Sequence, residues 1–169
     1  MKAFELIKIG SNILEENKIA SHILDAELLL SKVLKKPREK ILINLSQEID
    51  KKNILTFKEY LKRRAKNEPI AYIFKEKEFW SKKFEVSKDI LIPRPETEIL
   101  VDKLINIFKD KSISILDIGT GSGCIIISLL SGLKQSSGLA VDISKKAINM
   151  AKKNALKHNI CSRLKFSVK

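Results

Sequence analysis

A glycine-rich turn between an apolar strand and a helix constrains the fold of this chain more than any other feature. The segment Asp117–Gly123, with the sequence DIGTGSG, begins in the last two residues of the largely apolar run 113–118 and precedes a helical stretch at 124–133. Glycine lets the backbone turn at positive φ and lets a ligand approach without a Cβ in the way. A second strand at 139–143 comes next. Ser144 is a candidate N-cap for the second helix, whose predicted apolar face is Ala147, Ile148, Ala151 and Ala155, and a third strand at 163–168 follows. This order predicts β-α-β-α-β, one half of a doubly wound parallel sheet.

Three classes of ligand-binding turn compete for this segment. A dinucleotide site has the pattern Gly-x-Gly-x-x-Gly/Ala, but the last position, counted from Gly119, is Cys124. A P-loop needs lysine and then serine or threonine after its last glycine, where this chain has Cys124-Ile125. The remaining pattern, with Asp142 closing the next strand, suits S-adenosylmethionine, because this cofactor has no phosphate and a carboxylate there reaches ribose hydroxyls. A tight turn whose glycines serve packing alone is the alternative.

The first seventy residues have the apolar spacing of helices. Leu24, Leu28 and Val33 recur at helical intervals. Ser21 is a candidate N-cap for their helix, and Asp50 is a candidate N-cap for a later one. The pattern predicts a small helical bundle.

The character of the sequence changes after this helical domain, which we place at residues 1–69. Residues 70–74, IAYIF, are β-branched and aromatic, and residues 79–86 alternate at the period of a strand. These segments predict a β-hairpin linker over residues 70–92. Residues 93–169 then hold the half-sheet, so the chain as a whole is predicted to be α/β.

Composition narrows the classes of function. No apolar stretch of about eighteen residues exists and the amino terminus lacks the core of a signal peptide, so we expect a cytoplasmic protein. Cys124, Cys161, His22 and His158 lack the spacing of a metal or nucleophile site. The net charge of +13 favours nucleic acid. Its excess lysine is dispersed along the chain, however, which is typical of a solvated surface.

The sequence resembles the peptide chain release factor N5-glutamine methyltransferases from about residue 20 to its end. The segments that carry the resemblance are Asp25–Leu30, Arg64 with Glu68–Ile73, Glu78–Trp80, Leu91–Glu98, Ile115–Cys124 and Ala140–Ser144. Many methyltransferases share the glycine turn. The segment PRPETE at 93–98 is more specific, and it favours the release-factor branch over a sister family that methylates a ribosomal protein. The resemblance implies a Rossmann-like methyltransferase sheet, of which this chain holds the first half.

The resemblance also assigns a cofactor site. S-adenosylmethionine would be bound by Asp117, Gly119, Thr120, Gly121, Ser122, Gly123 and Asp142, and the segment around Arg94, Glu96 and Thr97 would fold over the cofactor as a lid. The glycine loop would line the methionine and ribose parts, Asp142 would bind the ribose hydroxyls, and Asp117 would support the loop on the amino-group side. No metal and no membrane are implied.

The implied reaction is methyl transfer to a protein amide. The acceptor would be the glutamine side-chain nitrogen in the Gly-Gly-Gln tripeptide of a release factor, a partner that the helical domain would help to hold. An amide lone pair is delocalised, and the asparagine of an Asn-Pro-Pro-Tyr motif orients it by accepting its hydrogens. That motif follows the family's fourth strand and is expected beyond residue 169. No catalytic residue is therefore assigned here, and activity of this chain alone is not expected.

Two departures from the family carry structural expectations. Lys75 and Ser81 stand where many relatives have glycine, which predicts altered turn geometry. In the family's sheet the first strand is central and pairs with the fourth. Without that neighbour, residues 113–118 would form an exposed apolar edge, so we expect the isolated chain to be poorly soluble or partly folded.

Two other functions remain open from the sequence. The chain could be a non-catalytic remnant or binding module whose helical domain still engages a partner. It could also methylate nucleic acid, because amino-methylating DNA enzymes share the Asn-Pro-Pro-Tyr motif and the net charge is +13. Specific nucleic-acid binding is not expected, since no basic stripe interleaved with aromatic residues occurs.

Overall fold

The computed structural model describes residues 1–169 and divides into two compact units, Met1–Phe74 and Lys75–Lys169. The first unit is helical, whereas the second combines an antiparallel hairpin with a parallel sheet. The predicted α/β class, with a helical bundle, a hairpin and a Rossmann-like half-sheet, is confirmed. No helix has both the length and the apolar character that crossing a bilayer would require.

The first unit is a bundle of five helices. They are α1 (Ala3–Glu16), α2 (His22–Leu34), α3 (Arg38–Ile43), α4 (Lys51–Ala65) and α5 (Ile70–Phe74). The buried core is aliphatic with one central aromatic ring, and it includes Leu6, Leu14, Leu29, Leu30, Phe57 and Leu61. Gly10 allows α1 and α4 to approach closely, since a Cβ there would lie only 2.8 Å from Phe57 Cζ.

An ion pair lies among these helices. Arg64 Nε donates to Asp25 Oδ2 at 2.7 Å, and the two side chains are only 16% and 7% exposed. Arg64 Nη1 also donates to the Glu68 carbonyl, which fastens the end of α4. Ser21 was expected to cap α2, but its hydroxyl donates to Asp25 Oδ2 instead, so the tertiary ion pair takes the place of the local cap. The predicted cap of α4 is confirmed, because Asp50 accepts from the Asn53 amide.

Residues 70–74 are helical, which corrects their expected place in a hairpin. The amides of Tyr72 and Ile73 both donate to the Pro69 carbonyl, at 3.0 and 3.1 Å. Ile73 is buried in the bundle core. A short apolar run fits a buried helix as well as a strand, and here packing against the bundle decides between them.

The second unit begins with a hairpin. Strands β1 (Glu76–Phe79) and β2 (Lys82–Glu85) pair antiparallel, and Trp80 and Ser81 make the turn at positive φ. Helix α6 (Thr97–Phe108) follows an extended segment and contacts α7. Trp80 Nε1 donates to Asp102 Oδ1 at 2.6 Å, so α6 also holds the hairpin turn.

The sheet contains three parallel strands. The elements are β3 (Ser114–Ile118), α7 (Cys124–Gly132), β4 (Ser137–Asp142), α8 (Lys145–Lys157) and β5 (Leu164–Val168), and the strand order is β3-β4-β5. Ser144 caps α8 as predicted, accepting from the Ala147 amide at 3.3 Å. The expected apolar face of α8 is also confirmed, because Ala147, Ile148, Ala151 and Ala155 are all buried.

Only one face of this sheet is covered, although a largely apolar run such as 113–118 is typical of a strand covered on both faces. Ala140 and Leu164 are buried in the core that includes α7 and α8 side chains. On the opposite face, Leu116 is 58% exposed and Ile118 is 78% exposed. Strand β3 is an edge of the sheet, as expected from the sequence. The poor solubility or partial folding expected of the isolated chain stays a prediction.

Candidate cofactor site

The glycine loop folds across the carboxyl ends of β3 and β4. The amides of Gly119 and Thr120 both donate to the Val141 carbonyl, at 2.8 and 3.0 Å. The Gly123 amide donates to the Thr120 carbonyl at 2.8 Å, and α7 begins at the next residue. The loop is therefore a fixed turn, held at one end by the neighbouring strand and at the other by the helix.

The three glycines have two different structural roles. All three have positive φ, at +78° for Gly119, +55° for Gly121 and +79° for Gly123. A Cβ added to Gly119 would meet no atom within 4 Å, and one at Gly121 would meet only loose contacts. A Cβ at Gly123 would lie 2.8 Å from Ile127 Cδ1 and 3.2 Å from Ala151 Cβ. Gly119 and Gly121 thus leave open space beside the loop, whereas Gly123 lets α7 and α8 pack closely.

Asp142 lies at the end of β4 and joins the loop. Its Oδ2 accepts from the Gly121 amide at 3.0 Å, and its Oδ1 accepts from the Ser144 amide at 2.8 Å. An ionised carboxylate offers about four acceptor sites. The hydrogen bonds from Gly121 and Ser144 use one acceptor site on each oxygen and fix the carboxylate against the loop. Each oxygen can still accept a hydrogen bond from a hydroxyl group.

Asp117 supports the loop from the end of β3. Thr120 Oγ1 donates to Asp117 Oδ2 at 2.7 Å. Burial raises the pKa of the Asp117 carboxyl above its ordinary value; the Thr120 hydrogen bond opposes this rise and the charge of Asp142 adds to it. The fold therefore increases the proton affinity of the Asp117 carboxyl.

Thr120 and Ser122 are buried, so their side chains do not line the open space. The Thr120 hydroxyl is engaged by Asp117. The Ser122 carbonyl accepts from Asn154 Nδ2 at 2.8 Å. Any contact that these two residues make with a ligand would have to come from the backbone.

Asn154 is a part of this site that the sequence analysis missed. Its fully buried amide accepts from the Glu85 N–H at 2.7 Å, donates to the Glu85 carbonyl at 3.0 Å and donates to the Ser122 carbonyl. One side chain thereby joins α8, strand β2 and the glycine loop. The available signal was an asparagine beside the apolar positions Ala151 and Ala155 of an amphipathic helix.

Comparison with known proteins matches each unit to a described family. The family described as PrmC N-terminal domain matches residues 5–74, and the family described as Methyltransferase domain matches residues 109–169. A release factor glutamine methyltransferase of Coxiella burnetii is 44% identical over 81% of this chain and 50% of its own length. The resemblance to release factor glutamine methyltransferases is confirmed. A bifunctional methyltransferase of Rickettsia typhi is 42% identical over 96% of this chain and 33% of its own length.

The chain spans about a third to a half of the length of these methyltransferase relatives. Among solved structures, the ribosomal protein L11 methylase of Lactobacillus delbrueckii subsp. bulgaricus is 26% identical. The matched region covers 50% of this chain and 42% of the methylase chain, with a TM-score of 0.41.

The segment expected to act as a lid leads into the first residue of α6. Arg94 and Glu96 are exposed, and Thr97 is the first residue of α6. No hydrogen bond or ion pair joins these three side chains to the glycine loop. Ile90, earlier in the same extended region, comes near the loop, since its Cγ2 would lie 3.9 Å from a Cβ built on Gly121. A lid function for Arg94, Glu96 and Thr97 stays a prediction.

The remaining titratable groups near the site have structural roles. Burial raises the pKa of the Cys124 thiol, which disfavours the reactive thiolate. His158 packs against Phe84, with ring centroids 4.8 Å apart, and its Nε2 lies 3.1 Å from the Lys83 carbonyl. Burial lowers the pKa of His158. The contacts of His158 join α8 to the hairpin.

Proposed function

We propose that this chain supplies the cofactor site of an S-adenosylmethionine-dependent methyltransferase that acts on release factors. The observation that carries the proposal is the open space beside Gly119 and Gly121 with the Asp142 carboxylate bonded at its edge. S-adenosylmethionine fits these groups, because its adenosine has hydroxyl donors for a carboxylate and no phosphate for a lysine to neutralise. The methyltransferase-domain match over residues 109–169 supports the same cofactor.

Each loop residue would have a specific binding task. Asp142 would accept hydrogen bonds from the ribose hydroxyls, since hydrogen bonds from two backbone amides hold both of its oxygens at the end of β4. The backbone from Gly119 to Gly123 would line the methionine and ribose portions. Asp117, held by Thr120, would stabilise the loop on the side of the amino group. The bound cofactor supplies a methyl group activated by a positively charged sulfur.

The extended segment before α6 would limit access to this site. Ile90 lies near Gly121, where its Cγ2 would be 3.9 Å from an added Cβ. Arg94, Glu96 and Thr97 come after it along the chain, and we propose that they close over the cofactor and exclude water. Water exclusion strengthens the electrostatic interactions that a charged sulfur makes within a site.

The acceptor that we propose is the glutamine of the Gly-Gly-Gln tripeptide in a peptide chain release factor. The 44% identity to the Coxiella burnetii enzyme and the match of residues 5–74 to a PrmC N-terminal domain support this substrate. No Asn-Pro-Pro-Tyr occurs among residues 1–169. Residues 1–169 would therefore bind the cofactor, and none of them is assigned the task of orienting the acceptor amide.

Ligand competition and acceptor choice test the proposal together. The chain should bind S-adenosylmethionine and its demethylated product in calorimetry, and it should not bind a nicotinamide dinucleotide or ATP. With methyl-labelled cofactor, any label transferred should appear on a release factor and be lost when the tripeptide glutamine is replaced. Label on duplex DNA, or heat released only with a phosphate-bearing nucleotide, would contradict the proposal.

A further inference from the structure

An apolar groove lies on the helical unit, and none of the residues that line it belongs to the glycine loop. It has a volume of about 470 Å³ and lies between α1 and α4. Its apolar walls come from two stripes at helical spacing, Leu6, Ile9 and Ile13 on α1 and Phe57, Leu61 and Ala65 on α4. Phe57 and Leu61 belong to the bundle core, whereas Ile9 is 43% exposed. The groove is thus an opening of the core toward solvent.

One rim of the groove carries a row of positive charge. Lys58, Lys62 and Lys66 line it, and each follows an apolar wall residue of α4 by one position. Successive lysines are four residues apart, so the row extends about 12 Å along the helix axis. All three are exposed and none forms an ion pair. No aspartate or glutamate lines the groove.

This combination identifies the chemistry of an occupant. A contiguous apolar surface with a charged rim is typical of an interaction site rather than of scattered exposed side chains. The two flanking helices form a trough, and an amphipathic helix can lay its apolar stripe in such a trough. Phe57 is the one aromatic residue that lines the groove, and it is buried, so the groove offers no exposed ring for a base to stack on.

We propose that this groove binds an amphipathic helix of a protein partner that carries acidic side chains along one edge. The partner's apolar stripe packs against Ile9, Ile13 and Leu61, and its carboxylates face Lys58, Lys62 and Lys66. The proposal goes beyond methyl transfer and needs no bound cofactor, so its outcome is independent of the function proposed above.

A designed peptide is the probe. It has about 18 residues, which is long enough for a measurable helix. Leucines stand at i, i+4, i+7 and i+11, a glutamate follows each leucine, and alanine and glutamine fill the other positions. Fluorescence anisotropy with the 169-residue chain measures its dissociation constant. A second peptide replaces every glutamate with lysine.

The decisive variants reverse charge on the groove rim. Lys58→Glu, Lys62→Glu and Lys66→Glu combined should weaken binding of the acidic peptide about tenfold, because exposed ion pairs contribute modestly but act together. The matched control combines Lys8→Glu, Lys51→Glu and Lys52→Glu, which change the net charge equally at exposed positions outside the groove. The control should bind within about twofold of the unaltered chain. The lysine peptide should prefer the rim variant.

Circular dichroism of each variant confirms that the helices remain, so a loss of binding reports on the groove. Ile9→Gln should weaken the acidic peptide about fivefold without altering its charge preference. Equal binding by the rim and control variants would overturn the proposal, as would failure of the lysine peptide to prefer the rim variant. Binding of anionic vesicles or single-stranded RNA that the rim variant abolishes, with no binding of the acidic peptide, would assign the groove to another partner class.

Discussion

The two units differ in how completely their elements cover one another. In the first unit each helix satisfies its own backbone hydrogen bonds, and the five helices share one apolar core. The mostly buried Arg64–Asp25 pair joins α4 to α2. In the second unit, α7 and α8 contact the sheet, yet Leu116 and Ile118 on the opposite face remain exposed. Parallel sheets are usually covered on both faces, and an exposed edge strand is a template for pairing with another chain. The first unit should therefore draw its stability from internal packing, and the second from polar contacts around its loop and from a ligand.

The largest expected effect is confined to the first unit. Arg64→Ala leaves Asp25 charged and buried without its partner, so the free energy of unfolding should fall by about 3–5 kcal/mol. Hydrogen exchange with mass spectrometry should show faster exchange across residues 1–74 and little change in residues 75–169. The matched control is Arg63→Ala, whose more exposed ion pair with Glu68 should contribute about 1 kcal/mol or less. If both substitutions lowered the free energy of unfolding equally, burial of the Arg64–Asp25 pair would not be what makes it important for stability.

The corresponding break in the second unit is Asn154→Ala. It removes three hydrogen bonds and leaves the Glu85 amide and the Ser122 carbonyl without their partner. We expect a loss of about 2–4 kcal/mol in unfolding free energy, with faster exchange in the hairpin and the glycine loop together. Asn149→Ala is the control, because Asn149 lies on the exposed side of the same helix. If the hairpin and loop exchange independently in Asn154→Ala, the coupling described here is wrong.

Asp117→Asn should stabilise the second unit at neutral pH by a few degrees in Tm. The asparagine oxygen can still accept from Thr120, while the cost of burying a charge disappears. The pKa of Asp117 is raised in the folded chain. The unaltered chain therefore loses stability as pH rises from the usual aspartate value of about 4 through the folded pKa. The Tm difference between the two proteins should close below about pH 4, and a difference that persists there would exclude this cause.

Smaller effects are expected in the hairpin. Lys75 and Ser81 have φ of 56° and 54°, a conformation that glycine adopts without strain. The expected change of turn geometry relative to the family stays a prediction. Lys75→Gly and Ser81→Gly should each raise the unfolding free energy by about 0.5–1 kcal/mol in denaturant titrations. The control Lys77→Gly, within strand β1, should lower it by a similar amount. Destabilisation by all three glycines would argue against backbone strain in the turn.

The features that could be predicted from the sequence depend on local interactions. The strand–turn–helix order, the Ser144 cap and the buried face of α8 each depend on neighbours within a few residues. The errors came where a distant partner decides the outcome. Ser21 donates to an aspartate that Arg64 holds from 39 positions away, and residues 70–74 are helical because the bundle buries Ile73.

The candidate site divides in the same way. The spacing of the glycines and of Asp142 predicted where the loop and its carboxylate would meet, and the bond from the Gly121 amide places them together. The difference between Gly119 and Gly123 could not be predicted, because it depends on Ile127 and Ala151 as spatial neighbours. Asn154 was missed for the same reason, since its partner Glu85 lies 69 positions away.

The most direct test of the central claim is calorimetric titration of S-adenosylmethionine into the chain and into Gly119→Asn. A Cβ at this position meets no protein atom, and asparagine tolerates positive φ, so the substitution should fill only the space intended for the ligand. Ser81→Asn is the control at another residue with positive φ. We expect equal binding by the unaltered chain and the control, binding at least about tenfold weaker for Gly119→Asn, and unfolding free energies within about 0.5 kcal/mol. Undiminished binding by Gly119→Asn would show that the open side of the loop does not hold the cofactor.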